Sequence, residues 1–195
     1  MNANFENISD EELIKLFKEK SNASIQAFET LYSRYSPSLY LYFYKFLKDS
    51  FFIKDLYQDL FLKIYELGVE GKLDNIDNFK GYLYRMAHNL ALNKLKNDEK
   101  QRNYIDSYKD SSEETDSISE SNREDTIKNL QDALEQLPPQ LKEILILREY
   151  NHLSYLEIAK ITDETMENVK IRIFRAKKKL KQIMTNKSKK IRKMV

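Results

Sequence analysis

The stretch LSYLEIAKITDETMENVKIRIFRAKKKLKQI, residues 153–183, decides the reading of this chain. Ser154-x-x-Glu157 is a capping box, so a short helix starts there and runs to about Ile161. Asp163 can take the tight turn in left-handed geometry, and Thr165 can cap a second helix. On a helical wheel Val169, Ile173, Ala176, Leu180 and Ile183 share one face, which is the side to bury. Asn168, Ile171, Phe174, Arg175 and Lys178 fall opposite, with Lys170 and Arg172 beside them. Apolar residues on the wet side of so basic a helix need a partner. Arg and Asn can read base edges, an apolar side chain can meet a thymine methyl, and flanking cations can hold phosphates. The alternative is a solvated basic helix; the two caps, the short turn and the basic second helix together favour a DNA-binding helix-turn-helix.

The charge distribution agrees. The formal net charge is only +2, yet residues 170–195 hold twelve Lys or Arg and no acid, while residues 106–125 hold eight acids and two bases. With three Gly and three Pro in 195 residues, turns are too few for an all-β fold, so an all-α chain is expected. The absence of Cys excludes disulfides, thiol nucleophiles and Cys-based zinc sites, and two His exclude a histidine metal cluster. No cofactor is expected. No triad, Gly-rich phosphate loop or metal-ligand spacing points to an enzyme. No apolar run approaches the roughly 20 residues a membrane span needs, so no membrane insertion is expected. The first residues lack a signal-peptide pattern, which makes the cytoplasm the default.

Upstream, Ser9-x-x-Glu12 caps a first helix. A second is expected over 23–35 with Ile25, Phe28, Leu31 and Tyr32 on one face, and Pro37 opens a third. A fourth spans about 51–66, and a long one about 78–97. Residues 99–124 are acidic and Ser-rich with few large aliphatics, which reads as a flexible linker. A second helical unit starts near Asp125, with Leu130, Ala133, Leu134 and Leu137 in a stripe and Pro138-Pro139 separating two helices. The expected architecture is therefore all-α: two helical domains, 1–98 and 125–185, joined by the flexible acidic linker 99–124, the C-terminal one containing the helix-turn-helix. A basic tail covers 186–195.

Two outward faces stand out in the first domain. On the helix 51–66, Ile53, Leu56, Leu60 and Ile64 form a core side, while Asp55, Gln58, Asp59, Leu62 and Tyr65 lie opposite. A Leu and a Tyr among carboxylates suit a protein partner, although a solvated face is the alternative. On the helix 78–97, Leu83, Ala87, Leu90 and Ala91 can pack inward, leaving Arg85, Asn89, Leu92 and Lys96 as an outward stripe.

These segments together resemble a known family. LSYLEIAKITDETMENVKIRIFRAKKKL (153–180) and ALEQLPPQLKEILILREY (133–150) are similar to the promoter-reading C-terminal domain of bacterial RNA polymerase sigma factors of the extracytoplasmic-function (ECF) class. AFETLYSRYSPSLYLYFYKFLKD (27–49), DLYQDLFLKIYE (55–66) and FKGYLYRMAHNLALNKLK (79–96) match the N-terminal sigma domain in the expected order. Tyr82 stands where the family often has Trp, Asp163 where it has a turn Gly, and Ile171 where Ser is frequent.

The resemblance implies a factor that binds core RNA polymerase and directs initiation at chosen promoters. It places Asp55, Gln58, Asp59 and Leu62, with Tyr65 beside them, against the clamp helices of the polymerase largest subunit. It assigns the helix 78–97 and its preceding loop to the minus-ten element, where a displaced base is captured. Arg85, Asn89 and Lys96 would serve there, with Asn75, Asn78 and Lys80 as candidates for the pocket and Phe79, Tyr82 and Tyr84 as nearby aromatics. It assigns Thr165, Asn168, Lys170, Ile171, Arg172, Phe174, Arg175, Lys178 and Lys179 to the minus-thirty-five element. Promoter DNA and core polymerase are the implied partners, and an anti-sigma factor is a plausible third. A conventional helix-turn-helix regulator that binds duplex DNA without polymerase stays as the alternative.

Overall fold

The computed structural model describes residues 5–19, 21–47, 50–105 and 122–192, and among them every regular element is helical. Eight α-helices follow in order: α1 (Asp10–Leu16), α2 (Asn22–Leu47), α3 (Ser50–Val69), α4 (Phe79–Ile105), α5 (Asn122–Glu135), α6 (Pro139–Leu145), α7 (Tyr155–Thr162) and α8 (Met166–Arg192). The chain divides into two compact units, Met1–Leu95 with Ala159–Glu164, and Lys96–Ile158 with Thr165–Val195.

The first unit is built on α2. Its buried positions are Ser24, Ala27, Leu31, Tyr35, Leu39, Tyr42, Phe43 and Phe46, so burial recurs about every three to four residues along the helix. That spacing overrides the two helices expected on either side of Pro37. Pro37 lacks the amide proton that would bond one turn back and forfeits one hydrogen bond. That costs about 3 kcal/mol, but each large apolar side chain buried along the helix is worth about 1.5–3 kcal/mol, and their sum is the larger effect that keeps α2 continuous. The same register shifts the expected face. Leu31 is buried, but Ile25 and Tyr32 are exposed along the rim of a groove.

Helix α1 carries the Ser9–Glu12 capping box and is fastened to α2 by polar contacts. Arg34 donates to the carbonyls of Glu6 (3.1 Å) and Ile8 (3.0 Å) and pairs with Asp10, while the Tyr35 hydroxyl donates to the other Asp10 oxygen. Burial, with Asp10 beside it, pushes the Tyr35 phenol above its ordinary pKa, so it stays a donor. Helix α3 ends in a Schellman motif: Lys72 N–H donates to Leu67 O and Gly71 N–H to Gly68 O, both at 2.9 Å, with Gly71 at φ +72°. Helix α4 runs to Ile105, beyond the expected end near 97. Residues 98–105 contain no Gly or Pro and are rich in Glu, Lys, Gln and Arg, which all favour helix. Both ends of the expected linker are thus helical, and residues 106–121 lie outside the described residues.

The second unit follows its sequence signals closely. Pro139 occupies the first turn of α6, which passes into a π-helical turn over Ile146–Tyr150 closed by Asn151 N–H to Ile146 O (3.1 Å). Lys142, almost fully buried, reaches back to Glu135 at 2.8 Å and ties α6 to α5. Leu134, Leu137, Ile144, Leu145, Ile146 and Leu147 form the core with Val169, Ile173 and Ala176 of α8. Helix α8 continues to Arg192, past the expected boundary at 185.

Candidate nucleic-acid and polymerase interfaces

The helix-turn-helix is set by local bonds. Ser154 Oγ accepts from Glu157 N–H (3.2 Å) and Glu157 accepts from Ser154 N–H (2.7 Å), completing the cap of α7. Arg148, leaving the π-helical turn, donates to Leu153 O at 2.7 Å and lies 4.8 Å from the centre of the Tyr155 ring, which fixes the approach to α7. Asp163 adopts φ +57° in the turn, and Thr165 Oγ1 accepts from Asn168 N–H (3.2 Å) to cap α8. The Thr165 hydroxyl therefore has a structural task beside any contact with DNA.

On α8 the inner face is as expected, with Val169, Ile173 and Ala176 buried and Leu180 and Ile183 half-buried. Asn168, Lys170, Arg175, Lys178 and Lys179 are exposed. Ile171 is 47% exposed and Phe174 is 68% exposed, so two apolar side chains stand out on a face otherwise polar or cationic. Arg172 differs from the rest. Its guanidinium donates to Gln140 O on α6 at 3.0 Å, and burial draws its pKa down against the opposing pull of Glu143. It braces α8 on α6, where the sequence suggested a flanking phosphate contact.

In the first unit, Ile53, Leu60, Phe61 and Ile64 of α3 are buried and Leu56 is half-buried. Asp55, Gln58 and Asp59 are exposed, Leu62 is 54% exposed, and Tyr65 stands at the edge. Gln58, Leu62 and Tyr65 form one wall of a groove of about 1090 Å³ between α2 and α3, whose other wall includes Ile25, Tyr32 and Tyr40. Its floor is aromatic: Tyr57 and Phe61 rings lie 5.0 Å apart, and Tyr32 and Phe61 4.7 Å. The carboxylates of Asp55 and Asp59 are on the same helix, so the face combines apolar anchoring with negative charge. The groove is the feature the sequence left unseen, because it depends on α2 keeping one register through Pro37.

On α4, Leu83, Ala87 and Ala91 are buried and Leu90 is half-buried, while Arg85, Asn89 and Lys96 are exposed and Leu92 half-exposed, giving the expected stripe. The aromatics divide differently. Phe79 and Tyr84 are core residues, packed on Tyr35 (5.7 Å) and Tyr42 (6.2 Å), so neither can stack on a base. They face inward because the helix turns them to the side of Leu83 and Ala87. Tyr82 is half-buried and stays near the stripe. Asn75 is exposed in the loop and Lys80 half-buried at the start of α4. Asn78 Oδ1 accepts from Gly81 N–H at 2.8 Å, the N-cap bond of α4.

Among the described residues no group of three or more His, Asp or Glu is placed to hold a metal ion, and no helix is long and apolar enough to cross a membrane. The described residues form helices with a capped helix-turn-helix near the C-terminal end. The family model for sigma-70 region 2 matches residues 31–101, and that for sigma-70 region 4 matches residues 127–180. The chain is 31% identical over 166 residues to the RNA polymerase sigma factor YlaC of Bacillus subtilis, covering 80% of this chain and 91% of that one. It is 28% identical to the ECF RNA polymerase sigma-E factor of Haemophilus influenzae, over 88% and 93% of the two chains. Its fold is similar to that of CnrH, solved with the cytosolic domain of CnrY (TM-score 0.65, 18% identity, 91% and 97% of the chains). It is equally similar to the sigma factor RpoE solved with the anti-sigma factor NepR from Bartonella quintana (TM-score 0.65, 18% identity, 81% and 96%). The chain belongs to the RNA polymerase sigma factors of the ECF class.

Proposed function

We propose that this chain binds core RNA polymerase and directs initiation at promoters whose minus-ten and minus-thirty-five elements it reads itself. The observation that carries this is the outward face of α8, where exposed Ile171 and Phe174 sit among Asn168, Arg175 and Lys178 on a capped helix. Such a face fits a major groove, with Lys170 and Lys179 at its phosphates. The face of α3 holding Asp55, Gln58, Asp59, Leu62 and Tyr65 takes the polymerase. The stripe Arg85, Asn89 and Lys96, with Asn75 and Lys80 nearby, takes the opened strand, and Asn78 contributes as the cap that sets the start of α4. Residues 1–98 then act as the polymerase and minus-ten domain, 99–124 as the connection and 125–185 as the minus-thirty-five domain. The chemistry of transcription stays with the polymerase, the working compartment is the cytoplasm, and an anti-sigma factor is the fitting regulator.

Reconstituted transcription tests this reading. Core polymerase with the chain should initiate at a selected promoter, and core alone should not. A chain that binds duplex DNA but never programmes the polymerase is instead a conventional regulator. Two variants locate the surfaces. Asp55→Ala with Leu62→Ala should weaken core binding by roughly tenfold or more, the range of an interface anchor, with helicity by circular dichroism retained. Unchanged affinity in a titration removes α3 from the interface. Asn89→Ala should leave core binding intact and lower the permanganate reactivity of promoter thymines; normal strand opening would make the stripe a solvated surface.

A further inference from the structure

The loop between α3 and α4 carries Asn75 and ends on the cap residue Asn78. It is held at its start by the Schellman motif at Gly71 and by the burial of Leu73. A third hold comes from far away in sequence. Lys18, 56 residues upstream, pairs through Nζ with Asp74, the neighbour of Asn75. The Lys18 stem passes over Gly71 so closely that a Cβ there would meet its Cε at 2.5 Å. Next to it, Phe17 is fully buried with its ring against Gly68, so any Cβ at that position would overlap it. The segment bearing both residues is itself anchored, since Arg34 and Tyr35 of α2 hold Asp10 and the carbonyls before it. Both glycines at the end of α3 are thus occupied by one N-terminal segment, whose last cation closes on the loop.

We infer that residues 5–19 are a brace for the loop 70–78, with Lys18 as a positioning residue for minus-ten selectivity; this rests on the proposed reading that the loop and α4 take the opened promoter strand. Lys18 acts through Asp74 on the conformational spread of Asn75. A narrower spread favours one base over others, because a captured base is discriminated only by donors and acceptors held in place. The strand recognised is single-stranded DNA with its bases unstacked.

The test uses the full chain with core polymerase and a promoter library randomised separately at the minus-ten and minus-thirty-five elements, read by sequencing of the transcribed pool. The variants are Lys18→Ala, Asp74→Ala and the exchange Lys18→Asp with Asp74→Lys. An exposed ion pair shifts an equilibrium by up to about fivefold, so each single variant should lower minus-ten enrichment by up to about fivefold. The exchange should restore it, and minus-thirty-five enrichment should match the wild type throughout. A purely structural brace would lower thermal stability and total transcript without changing the order of preferred bases. Unchanged minus-ten preference in both single variants, equal losses at both elements, or an exchange that restores nothing overturns the inference. A wild-type chain with no minus-ten preference overturns the underlying reading as well, and this is visible before any variant is compared.

Discussion

Phe17→Ala is expected to cost the fold about 3–5 kcal/mol, the range for truncating a buried aromatic side chain. The ring has no solvent exposure and meets Phe28 and Tyr65 at centroid distances of 6.0 and 6.4 Å. Gly68→Ala approaches the same contact from the opposite side. Alanine gains up to about 1 kcal/mol of helix propensity over glycine, but overpacking costs about 1–3 kcal/mol, so the single change should destabilise. In the Phe17→Ala background the obstacle is gone. There Gly68→Ala should become neutral or stabilising, and the two free energies should fail to add. Urea unfolding of the wild type, both single variants and the double variant gives the cycle directly. Additive losses would mean that the cost of a side chain at Gly68 arises elsewhere than at the Phe17 ring.

The second large effect concerns base choice. Arg175 lies on the outward face of α8 with Ile171 and Phe174, whereas Lys179 lies toward its flank. A base-reading Arg contributes about 1–3 kcal/mol of discrimination, while a phosphate-bound Lys changes affinity for all sequences alike. Arg175→Ala should therefore relax base preference within the minus-thirty-five element. Lys179→Ala should weaken every sequence similarly and reduce the slope of log affinity against log salt by about 1. Selection from a randomised library at two salt concentrations separates them. If Arg175→Ala keeps the wild-type preference and only loses affinity, Arg175 is a phosphate contact, and reading passes to Asn168, Ile171 or Phe174.

Much of the helix-turn-helix was legible because its signals are local. The box Ser154–Glu157, the left-handed Asp163 and the Thr165 cap each join residues at most three positions apart, and the wheel of α8 separates Val169 and Ile173 from Ile171 and Phe174 without help from elsewhere. What stayed hidden depends on distant partners. The pairs Lys18–Asp74 and Arg34–Asp10 join residues 56 and 24 apart, which no local pattern reveals. The continuity of α2 through Pro37 follows from tertiary burial that outweighs a local breaker, and with it go the exposed Ile25 and Tyr32. That Phe79 and Tyr84 point into the core is not legible either, since composition says nothing about which way a ring points. The bond from Arg172 to Gln140 stayed hidden for a related reason: a flanking position on a wheel does not say whether a long side chain bends toward solvent or toward the next helix. The Asn78 cap, by contrast, has a local signature three residues before Gly81 and could have been read from the chain alone.

The capping of α8 by Thr165 also bears on how quickly DNA is engaged. The face from Asn168 to Lys179 lies on one continuous helix, with its inner side packed and its first turn bonded before any ligand arrives. Little backbone must be ordered on binding, and Phe174, with only two side-chain torsions, loses little freedom when it is covered. Association is then governed by encounter rather than by folding of the recognition element. The acid-free, Lys- and Arg-rich sequence of residues 170–195 draws an anionic duplex inward, so the on-rate should fall steeply as ionic strength rises.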